Sequence, residues 1–428
     1  MNILAEELNS IIEGSIVSNL LSDFGKRFYF PKGIVAQSGE AKKKATRFNA
    51  TVGMATSNGK PMFLNSVRNQ IPELSEVDAF PYAPTPGVPE LRSKWREEMD
   101  QKNPSLAGKE TSVPLVTSGL THGLSVLGDM FLNKGDTIVF PDMFWGNYRL
   151  IFEERNQADI VTFPFFSENG GMNIEGFEKA LTEAPGDKIS FVLNFPNNPT
   201  GYTPSVDDGN KIIEMLLKLA KSGKKILAIM DDAYFGLFYE DESLKESLFG
   251  KIADLHENIL AVKVDGVTKE NFAWGFRVGF LTYASKNLSS EALGALTTKT
   301  SGAIRASVSN SNKMAQSLVL KSFSSNTYQS EKDAGFIILK ERYLKVRELV
   351  ESFNSESPLK ALPFNSGYFM TFLYEGNSEK LRVYLLNEYG IGTISIQSKY
   401  LRIAYSSVEL EKLDELFTII DKAAKEVL

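Results

Sequence analysis

The chain has 428 residues, 43% hydrophobic and 23% charged, with a formal net charge of -6, an ordinary globular composition with room for two substantial cores. The acidic balance leaves no basic face for a phosphate backbone, so nucleic acid is not an expected partner. Cysteine is absent and His122 and His256 are the only histidines, which excludes disulfides and thiolate chemistry, argues against a His-rich metal centre and leaves proton chemistry to a lysine or a tyrosine.

The apolar runs are strand-length, too short to span a bilayer, and no basic segment followed by an apolar one opens the chain. No membrane partner and a cytoplasmic location are therefore expected. An amphipathic start over 4–21 predicts a helix, and the basic cluster 42–47 reads as a solvated turn. Residues 48–61 set an apolar strand against Gly53 and an Asn58-Gly59 turn. Pro89 suits the first turn of a helix through Trp95 and Met99, so Tyr82 falls in an exposed, proline-stiffened loop ahead of it.

The string Thr117-Ser118-Gly119-Leu120-Thr121 is a turn that opens an apolar helix running to Leu132. Free N–H groups and the positive end of the helix dipole make such a start a ready phosphate site, with the Leu120 and Thr121 amides as the donors. From there strand-like runs at 136–140, 160–165, 188–195, 225–230 and 258–264 alternate with helical patterns. The clearest helix is 206–221, with Ser205 as its N-cap and Gly223 beyond its end. This alternation is the pattern of a mainly parallel sheet with helices on both faces, whose ligands sit at strand carboxyl ends.

The residues that stand out fall at those ends. Trp145, in Trp145-Gly146-Asn147-Tyr148, offers a flat face to a ring or fills the core. Asn198 opens Asn198-Pro199-Thr200-Gly201, whose turns fix a polar side chain after a buried strand. Asp231 and Asp232 end another buried strand, where a carboxylate needs a partner such as a pyridinium nitrogen. Lys269 follows the run 261–267, with Arg277 eight residues beyond it. A lysine there is a solvated loop residue or, if buried, a neutral amine able to form a Schiff base with a carbonyl. After it, helical patterns run to about residue 354 and include Arg305, which read alone is a surface charge. Strand-like pieces at 366–372 and 401–405 beside helices read as a smaller α+β domain, and Arg402 has the planar fork that meets a carboxylate.

Taken in order from Phe48 to Tyr405, these segments resemble the fold-type I aminotransferases that use pyridoxal 5'-phosphate, most of all the aspartate and aromatic enzymes. The resemblance implies an α/β fold with a mainly parallel seven-stranded sheet in a large domain, 58–330, and a small α+β domain of 1–57 and 331–428. It implies transfer of an amino group between an L-amino acid (aspartate, glutamate or an aromatic one) and a 2-oxo acid. A β-eliminating lyase or decarboxylase on the same cofactor is the alternative. Lys269 is then the cofactor lysine and proton carrier, Asp231 the partner of the ring nitrogen by its Asp-x-Ala-Tyr spacing, with Asp232 its outward neighbour, and Tyr234 and Asn198 the ligands of the phenolic oxygen. Trp145 stacks on the ring. Gly119, Leu120, Thr121 and Arg277 hold the phosphate, joined by Tyr82 of the other subunit of a homodimer. Gly53 lines the substrate pocket, Arg402 grips the α-carboxylate and Arg305 a second carboxylate. No metal is implied. Two positions depart from the pattern: Gly266 stands where the family often has a phosphate-binding serine, for which Thr268 or Ser118 are candidate substitutes, and Tyr148 stands where aspartate enzymes often have histidine.

Overall fold

The protein is described by a computed structural model covering residues 1–13, 18, 21–29, 33–353 and 357–428. Its strands in chain order are β1 (Phe48–Asn49), β2 (Thr56–Ser57), β3 (Lys60–Pro61), β4 (Leu115–Thr117), β5 (Thr137–Pro141), β6 (Asp159–Phe163), β7 (Lys188–Asn194), β8 (Lys225–Asp231), β9 (Ile259–Gly266), β10 (Gly279–Ala284), β11 (Leu359–Ala361), β12 (Met370–Tyr374), β13 (Ile391–Gly392), β14 (Ile394–Ile396) and β15 (Tyr400–Ile403). Seven of them form one sheet in the order β4-β10-β9-β8-β7-β5-β6. Five neighbours run parallel from β9 to β6, and β10 is antiparallel to both β9 and β4. The central strands are buried on both faces and mostly apolar, as a helix-covered sheet requires, with charges confined to the strand ends and to the buried Lys263 and Asp265 of β9.

A four-stranded antiparallel sheet, β11-β12-β15-β14, lies later in the chain, and β1 pairs in parallel with β13. That pairing ties the early segment to the last hundred residues. The helix Val206–Lys221 forms as expected, with the Ser205 side chain accepting from the Asp208 amide and Gly223 at φ +99° just past the end. Its polar outer face and buried Ile212, Leu216 and Leu219 place it against the sheet.

Several expected elements differ. The first helix is Ile3–Ile12, shorter than 4–21, and residues 14–17, 19 and 20 of that stretch lie outside the described residues. Lys42, Lys43 and Lys44 are not in a turn; they form the last turn of the helix Ile34–Lys44, where cations meet the negative dipole end. The helical pattern expected after Lys269 is interrupted by β10, and a short strand, β4, precedes the turn expected at 117–121. Within 366–372 only the part from Met370 is strand. Among the described residues no helix is long and apolar enough to cross a membrane.

Candidate active site

The carboxyl ends of β7, β8 and β9 and the turn after β4 open on one cavity of about 430 Å3. Lys269, Asp231, Tyr234, Asn198, Trp145, Leu120, Thr121, Arg277, Arg402 and Gly53 all line it, although they come from across more than 300 positions of the chain. The sheet order explains this. β9, β8 and β7 are neighbours, so their last residues present side chains side by side.

Lys269 follows β9, its carbonyl accepting from the Tyr368 hydroxyl at 3.0 Å and its ammonium nitrogen 5.0 Å from the Tyr234 ring centre. Burial, with the Arg277 and Arg402 charges, lowers its pKa from 10.5 to about 8, against the opposing pull of Asp231. Far more of the amine is therefore neutral near pH 7 than for a solvated lysine, and the neutral form is the nucleophile toward a carbonyl. Asp231 ends β8 and is buried, accepting from the Tyr148 hydroxyl at 2.5 Å and from the Ala233 amide at 3.2 Å. Burial raises its pKa to about 6; the Tyr148 hydrogen bond works against that rise. Tyr148, at the position where aspartate enzymes often have histidine, thus donates to the Asp231 carboxylate.

Asn198 is held from below, its amide donating to Asn194 Oδ1 at 2.8 Å while Asn194 Nδ2 donates to the Asp231 carbonyl at 2.7 Å. Burial pushes the Tyr234 hydroxyl well above its ordinary pKa, and the nearby Arg402 and Asn198 pull the other way. Arg402 on β15 is buried, donating to Asn198 Oδ1 at 3.0 Å and to the Thr51 carbonyl at 2.9 Å, with its guanidinium carbon 4.3 Å from the Phe369 ring centre. Its Nε has no partner among the described residues, so the guanidinium retains a donor for an incoming acceptor.

At the other end of the cavity, the helix Leu120–Phe131 begins after Gly119 without a side-chain cap. A Cβ at Gly119 would lie 2.3 Å from Arg277 Nη2, so the absence of a side chain is what lets the guanidinium reach the helix start. Thr268 also lines the cavity, and its buried Oγ1 has no partner among the described residues. An uncapped helix start and a guanidinium meet at one end, and the same cavity gathers Thr268 with its orphaned hydroxyl, a lysine, a carboxylate, a tyrosine and an asparagine. This donor set fits pyridoxal phosphate.

Three expected residues do not line the cavity of the single chain: Gly119, which adjoins it through Arg277, Tyr82 and Arg305. Tyr82 is 89% exposed, and Arg305, at the end of the helix Ser290–Ser307, is exposed and bonded to Ser309 Oγ at 2.8 Å. Asp232, the outward neighbour of Asp231, does not line the cavity; it is buried, paired with Lys263 at 2.6 Å and accepting from the Ser247 hydroxyl at 2.7 Å. Ile34, Ser38, Thr51, Asn194, Ala233 and Phe369 line the cavity without having been singled out. Only Asn194 carried a sequence signal, as the second polar residue of the strand-end asparagine motif. Beside Lys269, Glu270 is gripped by Lys102 at 2.8 Å and Lys332 at 2.9 Å. Burial would raise Glu270, but the two lysines outweigh it and hold the carboxyl at about 2.

The family profile described as aminotransferase class I and II matches residues 52–420. An aspartate/prephenate aminotransferase of Thermus thermophilus is 30% identical over 202 residues, 46% of this chain and 47% of that protein. The chain thus spans about half the length of this curated relative in the match. An aromatic amino acid aminotransferase of Dictyostelium discoideum is 23% identical over 396 residues, covering 85% of this chain and 78% of that protein. Among solved structures, an aminotransferase from Anaerococcus prevotii matches with a TM-score of 0.83 and 25% identity, over 94% of this chain and 98% of that one.

Proposed function

The chain belongs to the class I and II aminotransferases, a pyridoxal 5'-phosphate-dependent family with the fold-type I architecture, and we propose that it transfers an amino group between an L-amino acid and a 2-oxo acid. The observation that carries this reading is the meeting of Lys269, Asp231, Asn198, Tyr234, Arg277 and Arg402 on one cavity. Bound there, pyridoxal phosphate supplies a carbonyl for the amino group and a ring that withdraws electrons from Cα.

The protein residues then have separate tasks. Lys269 holds the cofactor and, once released, carries a proton at its Nζ to and from the substrate Cα; a pKa near 8 suits both directions. Asp231 keeps a positive charge on the ring nitrogen, Tyr148 orients that carboxylate, and Asn198 and Tyr234 fix the phenolic oxygen. Trp145 covers one ring face. The Gly119-Leu120-Thr121 turn, Arg277 and Thr268 take the phosphate, and Arg402 orients the α-carboxylate beside Gly53. We also propose a cytoplasmic homodimer working in amino-acid metabolism, divided near residues 58 and 330 into a large and a small domain. Aspartate, glutamate or an aromatic amino acid is the expected donor.

Borohydride reduction of the purified protein followed by peptide mapping should mark Lys269, and a panel of amino acids with 2-oxoglutarate should yield glutamate. A mark on another lysine would overturn the residue assignment. Products of β-elimination or decarboxylation, with no dependence on the 2-oxo acid, would overturn the reaction.

A further inference from the structure

His122 is one of the two histidines of the chain and sits in the first turn of the helix whose start faces the cavity. Its Nδ1 lies 3.1 Å from the Ser118 amide, which donates to it, and its Nε2 lies 2.8 Å from Ser307 Oγ. The Ser307 hydroxyl also lies 3.0 Å from the Ala303 carbonyl and 3.1 Å from that of Ile304, so its single proton serves the helix backbone. The serine oxygen is then left as acceptor, His122 Nε2 carries the proton, and Nδ1 is free to accept from Ser118. Every donor in this chain has an acceptor in the neutral ring. Burial and Arg155 favour that neutral form, against Asp129, and the positive end of the helix dipole favours it too.

We propose that His122 is a positioning residue for the phosphate-binding turn, clamping Ser118-Gly119 to the end of the helix Ser290–Ser307 so that the Leu120 and Thr121 amides keep their aim. A second tie, Ser118 Oγ to Ser311 Oγ at 3.3 Å, acts from the other side of the same turn. The turn needs such an external hold because Gly119, at φ +79°, has no side chain of its own to pack and lies directly against Arg277. The inference rests on the assignment of this helix start to the cofactor phosphate.

The test titrates full-length apoprotein with pyridoxal phosphate and, separately, with pyridoxal, following bound cofactor by absorbance. The wild-type chain should prefer the phosphorylated form strongly. His122→Ala should lose about ten-fold in affinity for pyridoxal phosphate and little for pyridoxal, the loss of one well-placed hydrogen bond to the turn. His122→Gln, with one acceptor and one donor on a similar reach, should recover part of it, and the exposed Ser307→Ala should show a smaller loss in the same direction. Equal losses for both ligands in His122→Ala, or none, would overturn the clamp. No preference for the phosphate in the wild-type chain would overturn the phosphate assignment and the clamp together. Should His122→Ala fail to fold, Ser307→Ala decides: unchanged selectivity overturns the clamp.

Discussion

At the scale of single residues, Asp231 shows a functional group held at a cost to stability. Its pKa is raised from 3.8 to about 6 by burial, so the folded protein binds its proton more tightly than the unfolded chain does. Below pH 3.8 the carboxyl is protonated in both states; as pH rises through 6 the folded state must ionise it in the apolar site, and the stability present at low pH is lost. The two-unit shift corresponds to about 3 kcal/mol at pH 7. Asp231→Asn, which keeps the shape without the charge, should stabilise the cofactor-free protein by about that amount at pH 7 and by little near pH 4, while removing the charge that the ring nitrogen pairs with. Melting curves of the two apoproteins at both pH values check this, and equal stability at pH 7 would refute it. The sequence made Asp231 legible through its position after a buried strand and its spacing to Tyr234. It did not reveal that Tyr148 donates to that carboxylate, because the two are brought together only when β5 and β8 take places on either side of β7.

Among the elements, the corner from β9 to β10 explains a departure that the sequence could only register. A Cβ on Gly266 would lie 2.6 Å from the Val278 carbonyl oxygen and 2.9 Å from Gly279 Cα, both backbone atoms of the chain entering the paired strand β10. No side chain fits without displacing that pairing, so a serine cannot simply be restored here. Thr268, two residues on, offers a buried and unpartnered hydroxyl in its place. Gly266→Ser should destabilise the protein by about 1–3 kcal/mol, as overpacking does, without tightening cofactor binding. Thr268→Val should leave stability nearly unchanged and weaken pyridoxal phosphate binding. Denaturation midpoints with a cofactor titration separate the two, and a stable, tighter-binding Gly266→Ser enzyme would contradict the steric account. Elements with their own local signals were readable in advance, as the capped helix Val206–Lys221 was. The strands β4 and β10 were not: β4 is three residues long, and β10 is buried throughout, so no alternation marks it and its apolar run merges with the helical patterns after it.

For the whole molecule, the charges in the cavity decide what the proposed second subunit would have to supply. Arg277 lies against the helix start, and Arg402 is braced by Asn198 and the Thr51 carbonyl with N–H donors to spare, which suits the α-carboxylate of any amino acid. Neither is left for a second carboxylate. Arg305 is exposed and outside the cavity, as are Phe80 at 85% and Tyr82 at 89% exposure, within a segment that also exposes Phe63, Ile71 and Val77. So many large apolar side chains uncovered over twenty positions favour burial against another copy of the chain, and in the proposed homodimer Tyr82 and Arg305 would be the residues to serve the neighbouring site. If the donor is a dicarboxylate, Arg305→Ala should reduce kcat/KM for aspartate by about 2–5 kcal/mol of transition-state binding, the scale for truncating one side of a buried charge pair, and leave phenylalanine turnover nearly intact. Arg402→Ala should impair both, since both carry the α-carboxylate. Sedimentation at micromolar concentration should show a dimer, and mixing Arg305→Ala with Lys269→Ala subunits should restore, in the hybrid, one site with both an intact lysine and the partner's guanidinium. Equal losses for aspartate and phenylalanine in Arg305→Ala, or no recovery on mixing, would remove Arg305 from the substrate site.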